Sequence, residues 1–123
     1  MRLFVLLGIL MAVVAAPASA RTVWVTGNVD RTIITGDDEF GGCLAALSSN
    51  FQANIPACRT PFLSLDCAGT FGGKAAGSRR LDQMILAAAM GIEARVRINT
   101  DKVIDGWCVA DGVQVIFPGP AAE

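Results

Sequence analysis

The stretch SRRLDQMILAAAMGIEARVRINT, residues 78–100, decides how the rest of the chain is read. Its first half repeats at helical spacing. Leu81, Met84, Ile85 and Ala88 fall on one face, while Arg79, Asp82 and Gln83 lie elsewhere. Ser78 is placed to cap the start, and Gly91 stands where a helix ends in a left-handed residue. The second half alternates: Val96 and Ile98 point one way, Arg95, Arg97 and Asn99 the other. A helix therefore feeds directly into a half-buried strand.

The segments on either side of this pair read as strands. Residues 22–35, TVWVTGNVDRTIIT, are dense in β-branched and aromatic side chains, with Gly27-Asn28 marking a bulge or bend. Asp37, Asp38, Glu39, Gly41 and Gly42 supply turn chemistry before a second strand over 40–47. A third strand spans 57–66, confined to an edge or to irregular pairing by Pro56 and Pro61. After the helix and the fourth strand, Asp105-Gly106 makes a turn. The last strand runs over 109–117, with Val113, Val115 and Phe117 on one face. The order β-β-β-α-β-β predicts a mainly β protein, a five-stranded OB-fold-like barrel with one helix between strands 3 and 4. Its expected core is Leu81, Ile85, Val96, Ile98, Val113 and Val115.

The beginning of the chain sets its compartment. Residues 1–20, MRLFVLLGILMAVVAAPASA, hold a single basic residue, an apolar run and an A-x-A site, the pattern of a secretory signal peptide. The apolar run is shorter than the roughly 20 residues needed to cross a bilayer. No retained membrane span is therefore expected. Residues 21–123 suffice for one domain and are too few for two. With Arg2 removed, 11 acidic side chains face nine basic ones, which gives no electrostatic footprint for nucleic acid. The expected location is secreted or periplasmic.

Export gives the four cysteines their reading. In an oxidising compartment Cys43, Cys58, Cys67 and Cys108 are expected to form two disulfides, and sequence alone allows three pairings. The turn-rich segment between Cys43 and Cys58 favours joining those two, which leaves Cys67 with Cys108. A zinc site is not expected, since the chain has no histidine and no C-x2-C spacing.

The same lack of histidine weighs against catalysis, because a serine or cysteine nucleophile would have no customary base. The acids Asp37, Asp38, Glu39, Asp101, Asp105 and Asp111 all sit in turn-like contexts, where carboxylates serve solvation and local hydrogen bonds. Calcium ligation at 37–39 lacks the spaced ligand pattern, and Gly72-Gly73-Lys74 lacks the rest of a phosphate loop. No cofactor and no metal are expected.

Three features resemble a known family: a strand-two cysteine followed by Ile55-Pro56-Ala57-Cys58, a helix over 81–89, and Gly91 leading into Arg95-Val96-Arg97-Ile98. The chain resembles the secreted OB-fold binding (B) subunits of AB5 toxins, closest in layout to the subtilase-cytotoxin B subunit-like group. That resemblance implies a glycan-binding subunit without catalytic activity, assembled as a pentamer that carries an enzymatic A subunit. The residues themselves suggest a contact surface made of Phe51, at the tip between the first two cysteines, with Arg95 and Arg97 on the fourth strand. Trp24 reads as half core and half surface, and Trp107 as packing on a disulfide beside Cys108. The competing reading is a disulfide-stabilised scaffold protein of the envelope with no small ligand.

Overall fold

The computed structural model describes residues 22–118, so the expected signal peptide lies outside the described residues. The elements are β1 (Thr22–Ile34), β2 (Cys43–Leu47), β3 (Phe62–Ser64), α1 (Lys74–Met90), β4 (Glu93–Ile104) and β5 (Trp107–Val115). They form a closed barrel in the order β1-β2-β3-β5-β4, with the helix between the third and fourth strands as expected. Every pairing is antiparallel except the short parallel contact of β3 with β5.

One long strand makes the closure possible. The first half of β1, from Thr22 to Asn28, pairs with β4, and its second half, from Val29 to Ile34, pairs with β2. The register slips between Val29 and Arg31, just beyond Gly27-Asn28. A bulge there adds twist and lets one strand serve two neighbours at a barrel corner. At the other end of the molecule Asp105 and Gly106 both take positive φ, 52° and 83°. That is the backbone of the two-residue hairpin turn expected from Asp-Gly, and it joins β4 to β5.

Several boundaries differ from the sequence expectation, each for a local reason. β2 starts at Cys43 rather than 40, because Asp37, Asp38, Phe40, Gly41 and Gly42 all hold left-handed backbone around a short 3-10 turn. β3 shrinks to three residues, since the segment carrying Pro56 and Pro61 lacks the free N–H groups a ladder needs. The helix starts four residues before Ser78, with Gly73 at its N-cap and no side-chain cap, while Gly91 closes it at φ 65° as expected.

The helix also turns a different face inward. Gly77, Leu81, Met84 and Ala87 are its buried residues, whereas Ile85 is 44% exposed and Ala88 faces solvent. The glycine at 77 lets the start of the helix lie directly on the backbone of Asp66 and Cys67, and the helix as a whole packs on β1 and β5. Arg80 donates Nε to the Leu65 carbonyl at 2.9 Å and ties the helix to the end of β3. Of the remaining expected core residues, Val96 and Ile98 are fully buried, Val113 and Val115 pack against the core while half-buried, and Phe117 stands exposed.

The disulfides are Cys43–Cys67 and Cys58–Cys108, which corrects the hairpin pairing expected from sequence. Leu44 lies opposite Ser64 in the ladder, and the Leu65 N–H donates to the Cys43 carbonyl at 3.1 Å. The chain leaving β3 therefore passes beside Cys43 and delivers Cys67 to it. Two disulfides are consistent with an oxidising extracellular or periplasmic location. Among the described residues no helix is long and apolar enough to cross a membrane.

Candidate functional site

The β1–β4 ladder sets Trp24 opposite Arg97 and Thr26 opposite Arg95. The phase of that ladder follows from its end. Asn28 donates its N–H to Ser48 Oγ at 3.0 Å, and its carbonyl accepts the Ser48 N–H at 2.9 Å, both directed away from β4. Glu93, opposite Asn28, turns its carbonyl to the Ile116 N–H on the β5 side. Counting back by twos, Trp24–Arg97 and Thr26–Arg95 are also non-hydrogen-bonded pairs, the class whose side chains stand closest.

The outcome is a cation–π stack on the outer face of the sheet. The Arg95 guanidinium carbon lies 4.5 Å from the Trp24 ring centroid and that of Arg97 lies 5.9 Å away. Trp24 keeps 39% of its surface exposed. An indole flanked by two guanidiniums offers a flat apolar surface edged with N–H donors.

Arg97 is held in place from the other side. Its Nε donates to Asp111 Oδ1 at 2.6 Å, and Lys102 Nζ donates to Asp111 Oδ2 at 3.3 Å. A register slip places Gly112 opposite Arg97 and Ala110 opposite Ile98, which leaves Asp111 to point at the cations. A Cβ on Gly112 would sit 3.3 Å from Arg97 Cβ and 3.5 Å from its Nε, so glycine gives the arginine its room. Next to this network is a small polar pocket of about 110 Å³ lined by Asp66, Phe71, Arg80, Arg97, Lys102 and Asp111, among others. Both Asp66 oxygens are engaged there, by the N–H groups of Thr70 and Phe71 at 2.7 and 2.8 Å.

Burial pushes the Asp111 carboxyl pKa up, but hydrogen bonds and charge from Arg97 and Lys102 outweigh it and hold the group below its ordinary 3.8. A carboxylate with a depressed folded pKa contributes stability that is complete above the unfolded value and is lost as pH falls through the folded one. Asp111→Asn is therefore expected to lower the melting temperature at neutral pH, with the gap to wild type closing as the pH drops below 3.8. A gap that stays constant down to strongly acid pH would show that the ion pairs contribute nothing.

The structure brings Arg95 and Arg97 together over Trp24 and buries Phe51. The tip between Cys43 and Cys58 folds back through a 3-10 turn at Phe51–Ala53, with the Ile55 N–H donating to the Phe51 carbonyl at 3.0 Å. Phe51 is thereby drawn into the core at 3% exposure, and its aromatic character is explained by packing. It reaches the surface only as part of a groove of about 270 Å³ between β1 and the tip. Trp107 stacks on Phe40, centroids 4.5 Å apart, and packs on Phe62 at 5.6 Å. Asp105 accepts the Phe40 N–H at 3.1 Å, a turn role of the kind expected for it.

Sequence reading missed Trp24 as the centre of this face. The available signal was its parity with Thr22 and Thr26 against Val23 and Val25. Among the described residues no group of potential metal ligands is clustered. Comparison with protein-family models, with curated proteins and with solved structures finds no match.

Proposed function

We propose that the protein is an exported, non-catalytic binding module that recognises a cell-surface glycan or a protein partner, in the manner of a toxin B subunit. The observation that carries this reading is the exposed Trp24 stacked against Arg95 and held on a rigid sheet. An aromatic face takes the apolar side of a sugar ring, and a guanidinium takes a carboxylate through paired hydrogen bonds. An acidic glycan therefore satisfies both halves of the surface. The lack of histidine and the employment of Asp66, Asp105 and Asp111 in hydrogen bonds and ion pairs support a binding rather than a catalytic role. Assembly as a pentamer and carriage of an A subunit belong to the proposal through the family resemblance alone.

A glycan array probed with the mature chain, with its solution mass measured alongside, tests the reading. Arg97→Ala and Trp24→Ala are expected to weaken binding of an acidic glycan at least about tenfold, or ~1.4 kcal/mol. Trp24→Ala should melt close to wild type, whereas Arg97→Ala also loses the Asp111 ion pair and should melt somewhat lower. Normal binding by both variants would remove this face from the function. Failure to find any glycan or protein binder would favour the scaffold alternative.

A further inference from the structure

The groove between β1 and the tip loop is lined by four consecutive β1 residues, Val23, Trp24, Val25 and Thr26. Side chains of a strand alternate between its two faces, so four in succession can line one groove only when it runs along the strand's edge. The opposite wall is Phe51, Asn54 and Ile55, and a second hollow of about 180 Å³ continues from Val23 to Pro56 and Thr100. This edge is where β2 would lie if it continued. Its pairing with β1 begins only at Val29–Leu47.

The ladder phase says which main-chain groups face the groove. Asn28 turns its N–H and carbonyl away from β4 toward Ser48, and by alternation Trp24 and Thr26 do the same. Among the described residues the tip loop makes no backbone hydrogen bond to either. Strand edges are ordinarily guarded by charge, proline or a cover. Residues 22–27, TVWVTG, carry neither charge nor proline.

We propose that this edge is a strand-addition site for an extended, acidic segment of a partner polypeptide. Such a segment pairs with the N–H and carbonyl groups of Trp24 and Thr26 and lays an apolar side chain against Phe51 and Ile55. Its outward side chains share the face of Arg95, which has no carboxylate partner among the described residues. They lie two strand spacings from that arginine, about 10 Å, within the combined reach of arginine and glutamate side chains. Charge complementarity therefore selects acidic over basic partners. The inference goes beyond the proposed glycan face: its main-chain groups lie on the opposite edge of β1 from β4.

The probe is an acetylated, amidated hexapeptide alternating valine and glutamate, added to the isotopically labelled mature protein. In the free protein the amides of Trp24 and Thr26 should exchange with solvent quickly and that of Val25 slowly. The peptide should slow exchange at Trp24 and Thr26 at least about tenfold. A version N-methylated at alternate amides, or one with lysine in place of glutamate, should give far less protection. Thr26→Pro removes only an edge N–H, so it should fold and lose peptide protection, whereas Val25→Pro breaks the β4 ladder and should be strongly destabilised. Slow exchange at Trp24 and Thr26 in the free monomer, no protection by the peptide at millimolar concentration, or equal protection by the N-methylated peptide would each overturn the proposal. A self-association of the wild type that Thr26→Pro abolishes would instead assign the edge to a second copy, and would overturn it too. Arg97→Ala should leave peptide protection intact, so failure here is separable from failure of the glycan reading.

Discussion

Gly77→Ala is expected to destabilise the protein by about 3 kcal/mol or more, through overpacking of backbone on backbone. In a domain of about 100 residues this lowers the melting temperature by roughly 12 °C or more. Helix propensity alone predicts the opposite sign, since alanine is favoured over glycine inside a helix by about 1 kcal/mol. Geometry decides. A Cβ at position 77 would fall on the Asp66 carbonyl oxygen, well inside van der Waals contact, and 2.6 Å from the Cys67 Cα. Neither is the end of a flexible side chain, and Cys67 is further fixed by its bridge to Cys43. The cheapest relief is to lift the first turns of α1 off the barrel, which would uncover Leu81 and Met84, both buried in the core. Gly72→Ala is the control, since a Cβ there meets nothing within 4 Å. Urea denaturation of the two variants reads the difference. A Gly77→Ala protein as stable as wild type would mean that the helix sits further from residues 66 and 67 than described.

The same glycine shows where sequence reading stops. In isolation Gly77 looks like the end of a loose connector and Ser78 like the cap of the helix that follows. The contact with Asp66 and Cys67, which gives Gly77 its meaning, is made across the connecting loop and leaves no local periodicity. Local signals fared better. The alternation of Arg95, Val96, Arg97 and Ile98, the left-handed Gly91 and the Asp105-Gly106 turn depend on neighbours in sequence, and each stands as read. Element order followed from them, and with it the barrel. The site was legible by half. Arg95 and Arg97 share one face because they alternate on one strand, and Trp24 joins them through a pairing that only the folded register supplies. Asp111 reaches Arg97 through a slip in the β4–β5 ladder, and Lys102 reaches Asp111 through the extension of β4 to Ile104. Phe51 looked like a projecting tip residue because a polar, turn-rich loop does not announce that it folds back on the core.

Removing Cys58–Cys108 as the Cys58→Ala/Cys108→Ala double variant is expected to cost about 4 kcal/mol in the chain-entropy model. Its cysteines are 50 positions apart in sequence, against 24 for Cys43–Cys67, so the same model makes its loss the larger of the two. Set against a total stability of roughly 5–15 kcal/mol for a domain of this kind, the variant is brought near the threshold of folding. The bridge also has a local task. Cys58 ends the tip loop, 3% exposed, and Cys108 lies at the start of β5, 1% exposed. Their link holds a loop with little ladder of its own against the barrel and keeps Phe51 and Ile55 in the core. Without it the wall of the β1 groove loses its covalent anchor, so exchange of the Ile55 and Cys58 amides, which bond to Phe51 and Ile55, should rise more than exchange in α1. Peptide mapping without reduction should recover Cys58 with Cys108 and Cys43 with Cys67. Recovery of Cys43 joined to Cys58 would contradict the Leu44–Ser64 register, because that register puts Cys67, not Cys58, beside the start of β2.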